Sequence, residues 1–200
     1  MREKNSRETI LKCALELFAE KGYESVSPNE IVEKAGITKP TLYYFFGSKE
    51  GLFEELLKVN YGKLDELLAD SCKYIPNIER YHEDVYPALI RIVNAFFDFA
   101  IENTAFYLMI LTLSFSPPSS RTAAISEKYH RNHYILLERT FYDISAVHAN
   151  LKGKEQINTC HFLAMINARI GFCHRGYGRL DKAAAHSIVT GFMHGIFSGA

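Results

Sequence analysis

The chain has 200 residues, 48% of them apolar, enough for one large domain or two small ones with a sizeable core. Lys+Arg and Asp+Glu both number 23, so the formal charge is zero and bulk positive charge is excluded as a means of gripping nucleic acid. No apolar run reaches membrane-spanning length, and the N-terminus MREKNSRET is polar where a secretory signal would be apolar. The cysteines at 13, 72, 160 and 173 are scattered through helical patterns and read as free thiols of a reducing cytoplasm, not as a disulfide framework.

Residues 1–5 read as a frayed arm. From about Ser6 to Lys21, Ile10, Ala14, Leu17 and Phe18 recur at helical spacing, and Gly22 stops the helix. Tyr23 then plugs the core of a small domain. The stretch Ser27–Lys49 carries dense start and stop signals. Ser27 is placed to cap a helix, Pro28 suits its first position and Glu30 completes a capping box. Val26 and Ile31 form a staple across that start, and Gly36 ends the helix where a left-handed residue is needed. Thr38 is expected to cap a second short helix, with Ile37 and Leu42 as its staple. Two short helices joined by a glycine turn are the signature of a helix-turn-helix.

In the second helix, Leu42 and Phe46 share the face expected to anchor it. Lys39, Thr41, Tyr43 and Phe45 are left for the outer face and the first turn. A helix that offers its N-terminal residues to a major groove needs such groups: a cation, a hydroxyl and apolar surface for thymine methyls. Ser48 caps the next helix and Lys49 opens it, which suits a phosphate. Residues 1–49 hold eight Lys/Arg against seven Asp/Glu, but from Gly36 to Lys49 there are two lysines and no acid. Any attraction for DNA is therefore local, helped by helix dipoles and backbone amides.

A longer helix runs from Ser48 to about Cys72, with Leu52, Phe53, Leu56, Leu57, Val59, Leu64, Leu67 and Leu68 as its apolar positions. It has no Pro or Gly-rich break, so it suits a rigid lever. Ile75 to Tyr86, flanked by Pro76 and Pro87, reads as a loop. Helices follow over Ala88–Asn103 and Thr104–Phe115, then a break at Ser116–Ser120, a long helix over Arg121–Ala149 and a turn at Leu151–Gly153. The last two helices are expected at Lys154–Tyr177 and Asp181–Phe197, with small residues (Ala164, Ala168, Gly171, Ala184, Ala185, Gly191, Gly195) along their seams. No strand pattern or repeat occurs, so the fold class is all-α.

The order and spacing of Ala14, Leu17, Phe18, Gly22, Tyr23, Ile31, Ala35, Gly36, Leu42, Tyr43, Phe45, Lys49 and Leu52 resemble the DNA-binding domain of the tetracycline-repressor family of bacterial transcription regulators. The resemblance covers about the first quarter of the chain. It implies a three-helix helix-turn-helix domain over 1–50 and a larger helical effector-binding and dimerisation domain over 51–200. It also implies a homodimer formed through the two C-terminal helices, a palindromic double-stranded operator, a small-molecule effector, most often a repressor's role, and no enzymatic activity or cofactor.

Carried onto matching positions, the resemblance gives Thr38 a phosphate contact beside its cap, and Lys39 a base edge or a phosphate. Pro40 and Thr41 take bases or thymine methyls, Tyr43 and Lys49 take phosphates, and Phe45 takes the backbone or a sugar. Ser27 and Asn29 add phosphate contacts. The family more often has His or Tyr at the Phe45 position, so a hydrogen bond is missing there. Arg2 and Lys4 are further candidates for backbone contacts, second to the plainer reading of a solvated tail.

The middle of the chain is dense in aromatics, most of them core. An effector pocket is expected there, with Phe96, Phe99, Asn103, His133 and Phe141 as its candidate lining and Asn94, Asp98 and Thr112 as further polar groups. Glu127, His130 and His133 fall on one helix at loose metal-ligand spacing, but such a set is more often a solvated face. Cys160-His161 and Cys173-His174 lie about 20 Å apart along a helix and share no ion within it. No Ser-His-Asp motif, phosphate-cradling glycine loop or HExxH occurs. The competing function is a helical small-molecule or metal-binding protein that does not bind DNA, which the near-neutral N-terminal charge favours.

Overall fold

The structure, a computed structural model, describes residues 2–77 and 80–195, without the side chains of residues 2–5, 81 and 82. The candidate contacts of Arg2 and Lys4, and the final residues of the last predicted helix, lie outside what is described. Among the described residues there are nine α-helices and no strand: α1 Arg2–Lys21, α2 Pro28–Ala35, α3 Lys39–Phe46, α4 Lys49–Ser71, α5 Tyr81–Glu102, α6 Thr104–Ser114, α7 Arg121–Val147, α8 Glu155–His174 and α9 Lys182–His194. No single helix is long and apolar enough to cross a membrane.

Two boundaries depart from the sequence reading. Helix α1 begins at Arg2, so residues 2–5 are helical and not a frayed arm. Helix α5 begins at Tyr81 and takes Pro87 inside it. Proline removes the N–H that would bond the carbonyl four residues back, at Glu83. Burial of Val85, Ala88 and Leu89 on either side, with Pro87 itself exposed, outweighs that loss.

The chain packs as two compact units. The first comprises Met1–Gly62 and Asn103–His130, the second Lys63–Glu102 and Arg131–Ala200. In the first, Ile10, Ala14, Phe18, Ile31, Leu42 and Phe53 are fully or almost fully buried and make the core beneath the helix-turn-helix. Helix α6 packs on α1 in this unit, bringing Phe106 and Tyr107 into the interior. The start of α7 is tied to α4 by charged pairs. Arg121 meets Glu50 at 2.5 Å, and Glu54 accepts from Lys128 and from the Tyr129 hydroxyl, both at 2.9 Å.

In the second unit α9 packs chiefly against α5, and Phe141, Phe162 and Phe192 form an aromatic cluster with centroids 4.9–5.9 Å apart. Ser145 donates to the buried Glu155 carboxylate at 2.7 Å, joining α7 to α8. Ile157, His161, Ala164, Ala168 and Phe172 recur at helical spacing on α8 and all are exposed.

Candidate nucleic-acid interface

Helix α2 is held at both ends. Ser27 Oγ accepts the Glu30 N–H at 3.3 Å, and the Glu30 carboxylate accepts the Ser27 N–H at 2.8 Å, so the expected capping box is complete. The Ser27 N–H, then Lys21 and the Ser27 hydroxyl, hold the Glu30 carboxyl down to about 2. The other Glu30 oxygen takes the Lys21 ammonium at 2.9 Å. Asn29 is exposed beside Ser27. At the far end Gly36 adopts φ +63°, the left-handed conformation the sequence asked of it.

Helix α3 is built differently. Thr38 has the extended backbone of an N-cap, but its side chain bonds no backbone N–H. The expected cap is therefore corrected. Pro40 has no N–H to offer, and the Thr38 hydroxyl pairs instead with the Thr41 hydroxyl at 3.0 Å. Leu42 alone on this helix is fully buried. Phe46, expected as a second anchor, is half-buried with the Arg7 guanidinium 5.6 Å from its ring centroid.

Thr38, Lys39 and Pro40 are exposed, Thr41 and Phe45 half-buried. Tyr43 is 43% and Tyr44 76% exposed. The sequence reading gave Tyr44 no role. It lies two residues from buried Leu42, hence on the opposite side of the helix, and its ring stands edge-on to Phe45 at 5.2 Å. Counting helical angle from Leu42 would have found it.

Lys49 opens α4, directly after the turn that follows α3. Ser48 Oγ accepts the Gly51 N–H at 3.0 Å and caps α4 as expected. The Lys49 ammonium sits 4.0 Å from the Tyr23 ring centroid, and burial pushes its pKa below the ordinary lysine value. The Tyr23 ring in turn packs on Phe18 and Phe53, as a core plug should. Gly51 is required by close approach: a Cβ there would collide with the Phe46 carbonyl. From Gly36 to Lys49 the first unit thus carries two tyrosines, two threonines, a proline and two lysines, and no acid.

These features match known proteins. Residues 10–56 fit the sequence model of the bacterial regulatory proteins of the tetR family. Those residues form a tetR-family segment. The HTH-type transcriptional regulator QacR of Staphylococcus aureus is 28% identical over 167 residues, covering 82% of this chain and 81% of QacR. The uncharacterized HTH-type transcriptional regulator YdgC of Bacillus subtilis is 44% identical over 52 residues, 26% of this chain and only 27% of YdgC's length. Among solved structures, the transcriptional regulator FadR of Bacillus subtilis, in complex with stearoyl-CoA, superposes with a TM-score of 0.77 at 16% identity, covering 95% of this chain and 99% of FadR. This last likeness is one of fold and spans both units.

Of the candidate effector residues, Phe96, Phe99, His133 and Phe141 are buried in the second unit, with the Phe96 and His133 rings 6.4 Å apart. Asn103 belongs to the first unit, at the start of α6. The second unit also has a cleft of about 610 Å³ lined by Asp70, Lys73, Tyr74, Asp84, Arg91, Asn94 and Asp98, among others. Asn94 and Asp98 were among the predicted polar groups. Asp84, at the edge of the cleft, accepts from the Asn77 N–H at 2.9 Å and lies 2.8 Å from His148 Nε2. Burial raises the Asp84 carboxyl, but bonds from Tyr74, His148 and Asn77 outweigh it and hold it below its ordinary value.

Of the two histidines at metal-ligand spacing, His130 faces the Tyr61 hydroxyl at 3.4 Å in the first unit, and His133 is buried in the second. Among the described residues no group of three or more His, Cys, Asp or Glu side chains is placed to hold a metal ion.

Proposed function

We propose that this chain is a cytoplasmic, homodimeric transcription regulator, a repressor, that reads a palindromic operator and responds to a small-molecule effector. The exposed outer face of α3, held from behind by Leu42, carries the proposal. Residues 1–50 are the DNA reader, and residues 51–200 bind the effector and form the dimer. Lys39, Pro40 and Thr41 address base edges. Tyr43, Tyr44 and Lys49 address phosphates, joined by Ser27 and Asn29 from α2 and by Thr38. Phe45 packs on the backbone or a sugar.

The exposed apolar stripe on α8 supports the dimer. Ile157 is 51% and Phe172 56% exposed, more apolar surface than an isolated helix pair leaves to water without a partner. The stearoyl-CoA bound to FadR supports a small-molecule site in the second unit. There the buried aromatics at 96, 99 and 141, or the polar cleft beside Asp84, supply the contacts. Effector binding shifts the population toward a state in which the two recognition helices no longer match the roughly 34–36 Å between successive major grooves. Only an effector that binds the two states unequally does this.

Replacing Tyr43 by Ala removes a charge-assisted hydrogen bond to phosphate, so operator affinity at matched salt falls by about tenfold or more while the dimer stays folded. An unchanged affinity would remove Tyr43 from the interface. Phe172→Asp gives a monomer by sedimentation; a dimer surviving that change would place the interface elsewhere.

A further inference from the structure

The hydroxyl pair of Thr38 and Thr41 assigns a task to Thr38 that its position alone does not. A threonine at the start of a helix ordinarily spends its hydroxyl on a backbone N–H. Thr38 does not, and its oxygen lies 3.0 Å from that of Thr41, one turn on. A hydroxyl held in this way fixes χ1 of Thr41, because a β-branched side chain has few rotamers to choose from. The hydroxyl and the methyl diverge from one Cβ. With the hydroxyl turned back to Thr38, the methyl is the group Thr41 has left to present.

Building on the DNA-reading role above, we infer that Thr38 is a positioning residue for sequence readout. It turns Thr41 into an apolar reader that meets the C5-methyl of a thymine, the apolar mark of the major groove. Thr38 acts through Thr41 and touches no base.

The test uses the full-length chain and a duplex selected from a random pool, with each thymine exchanged singly for deoxyuridine, which removes only the methyl. The wild-type chain loses roughly fourfold in affinity at one symmetric pair of positions, the worth of one buried methyl. Thr41→Ser, which keeps the hydroxyl, abolishes that sensitivity. Thr38→Val abolishes it too, and Thr38→Ser preserves it. The double variant Thr38→Val/Thr41→Val regains it, because valine carries a methyl at both γ positions and needs no orienting partner. A merely structural role for Thr38 would not be rescued in this way. Full thymine sensitivity in Thr38→Val, or no sensitive thymine in an enriched site, overturns the inference while leaving DNA reading intact. A pool that yields no enriched site overturns both.

Discussion

Helices α2 and α3 are each eight residues long, adjacent, and both begin with a proline near the N-terminus, yet they are stabilised in opposite ways. Helix α2 satisfies its own ends: a reciprocal capping box, an ion pair to Lys21 and a left-handed glycine. Helix α3 has no side-chain cap and one fully buried residue, and it is held by its neighbours: Leu42 in the core, and Gly51 letting the Phe46 carbonyl approach α4. The difference is what a reading helix requires. Groups spent on capping are not available to DNA, so α3 spends no side chain on capping its own backbone and takes its stability from packing.

Breaking the packing of α3 has the largest effect. Leu42→Ala should cost about 3 kcal/mol in chemical denaturation and abolish operator binding with it. Gly51→Ala comes next, at about 1–3 kcal/mol, because its methyl must push the Phe46 carbonyl away. On α2 the sensitive point is the cap. Ser27→Ala should lower stability by about 1 kcal/mol. Thr38→Ala sharpens the contrast, since a loss below about 0.5 kcal/mol is expected from the same residue position on α3. A loss as large as that of Ser27→Ala would mean that Thr38 caps after all.

The pH response separates the two helices as well. The Glu30 carboxyl is lowered from 4.5 to about 2 by the Ser27 N–H, Lys21 and the Ser27 hydroxyl. A lowered carboxyl contributes stability that is complete above its ordinary value and is lost as the pH falls through its folded value. Acid unfolding between pH 4.5 and 2 should therefore flatten in Glu30→Gln, and an unaltered profile would show that the capping box contributes nothing through its charge.

Much of this was legible in the sequence, and the misses have causes. The bounds of α2 could be read because Ser27, Pro28, Glu30 and Gly36 act locally, within one turn. Thr38 misled because the choice between a backbone N–H and the Thr41 hydroxyl depends on Pro40 and on rotamers, not on residue type. Gly51 carried no visible signal, since its role is a close approach created only when α3 meets α4. Pro87 reads as a break, yet burial of the residues beside it carries α5 past it. Aromatic spacing located the core of the second unit at Phe96, Phe99 and Phe141, but spacing does not distinguish a packed core from the lining of a cavity. The polar cleft beside Asp84 joins the end of α4 to α5, and no local pattern brings those residues together.

The central claim is that the exposed face of α3 reads DNA in a homodimer. The most direct measurement is selection of sites from a random duplex pool by the purified chain at two salt concentrations, alongside Tyr43→Ala. Enrichment of a palindrome by the wild-type chain at both salts, lost in Tyr43→Ala with its fold intact, is the expected result. Weak, unselective binding that disappears with salt, and is the same in both proteins, would contradict it.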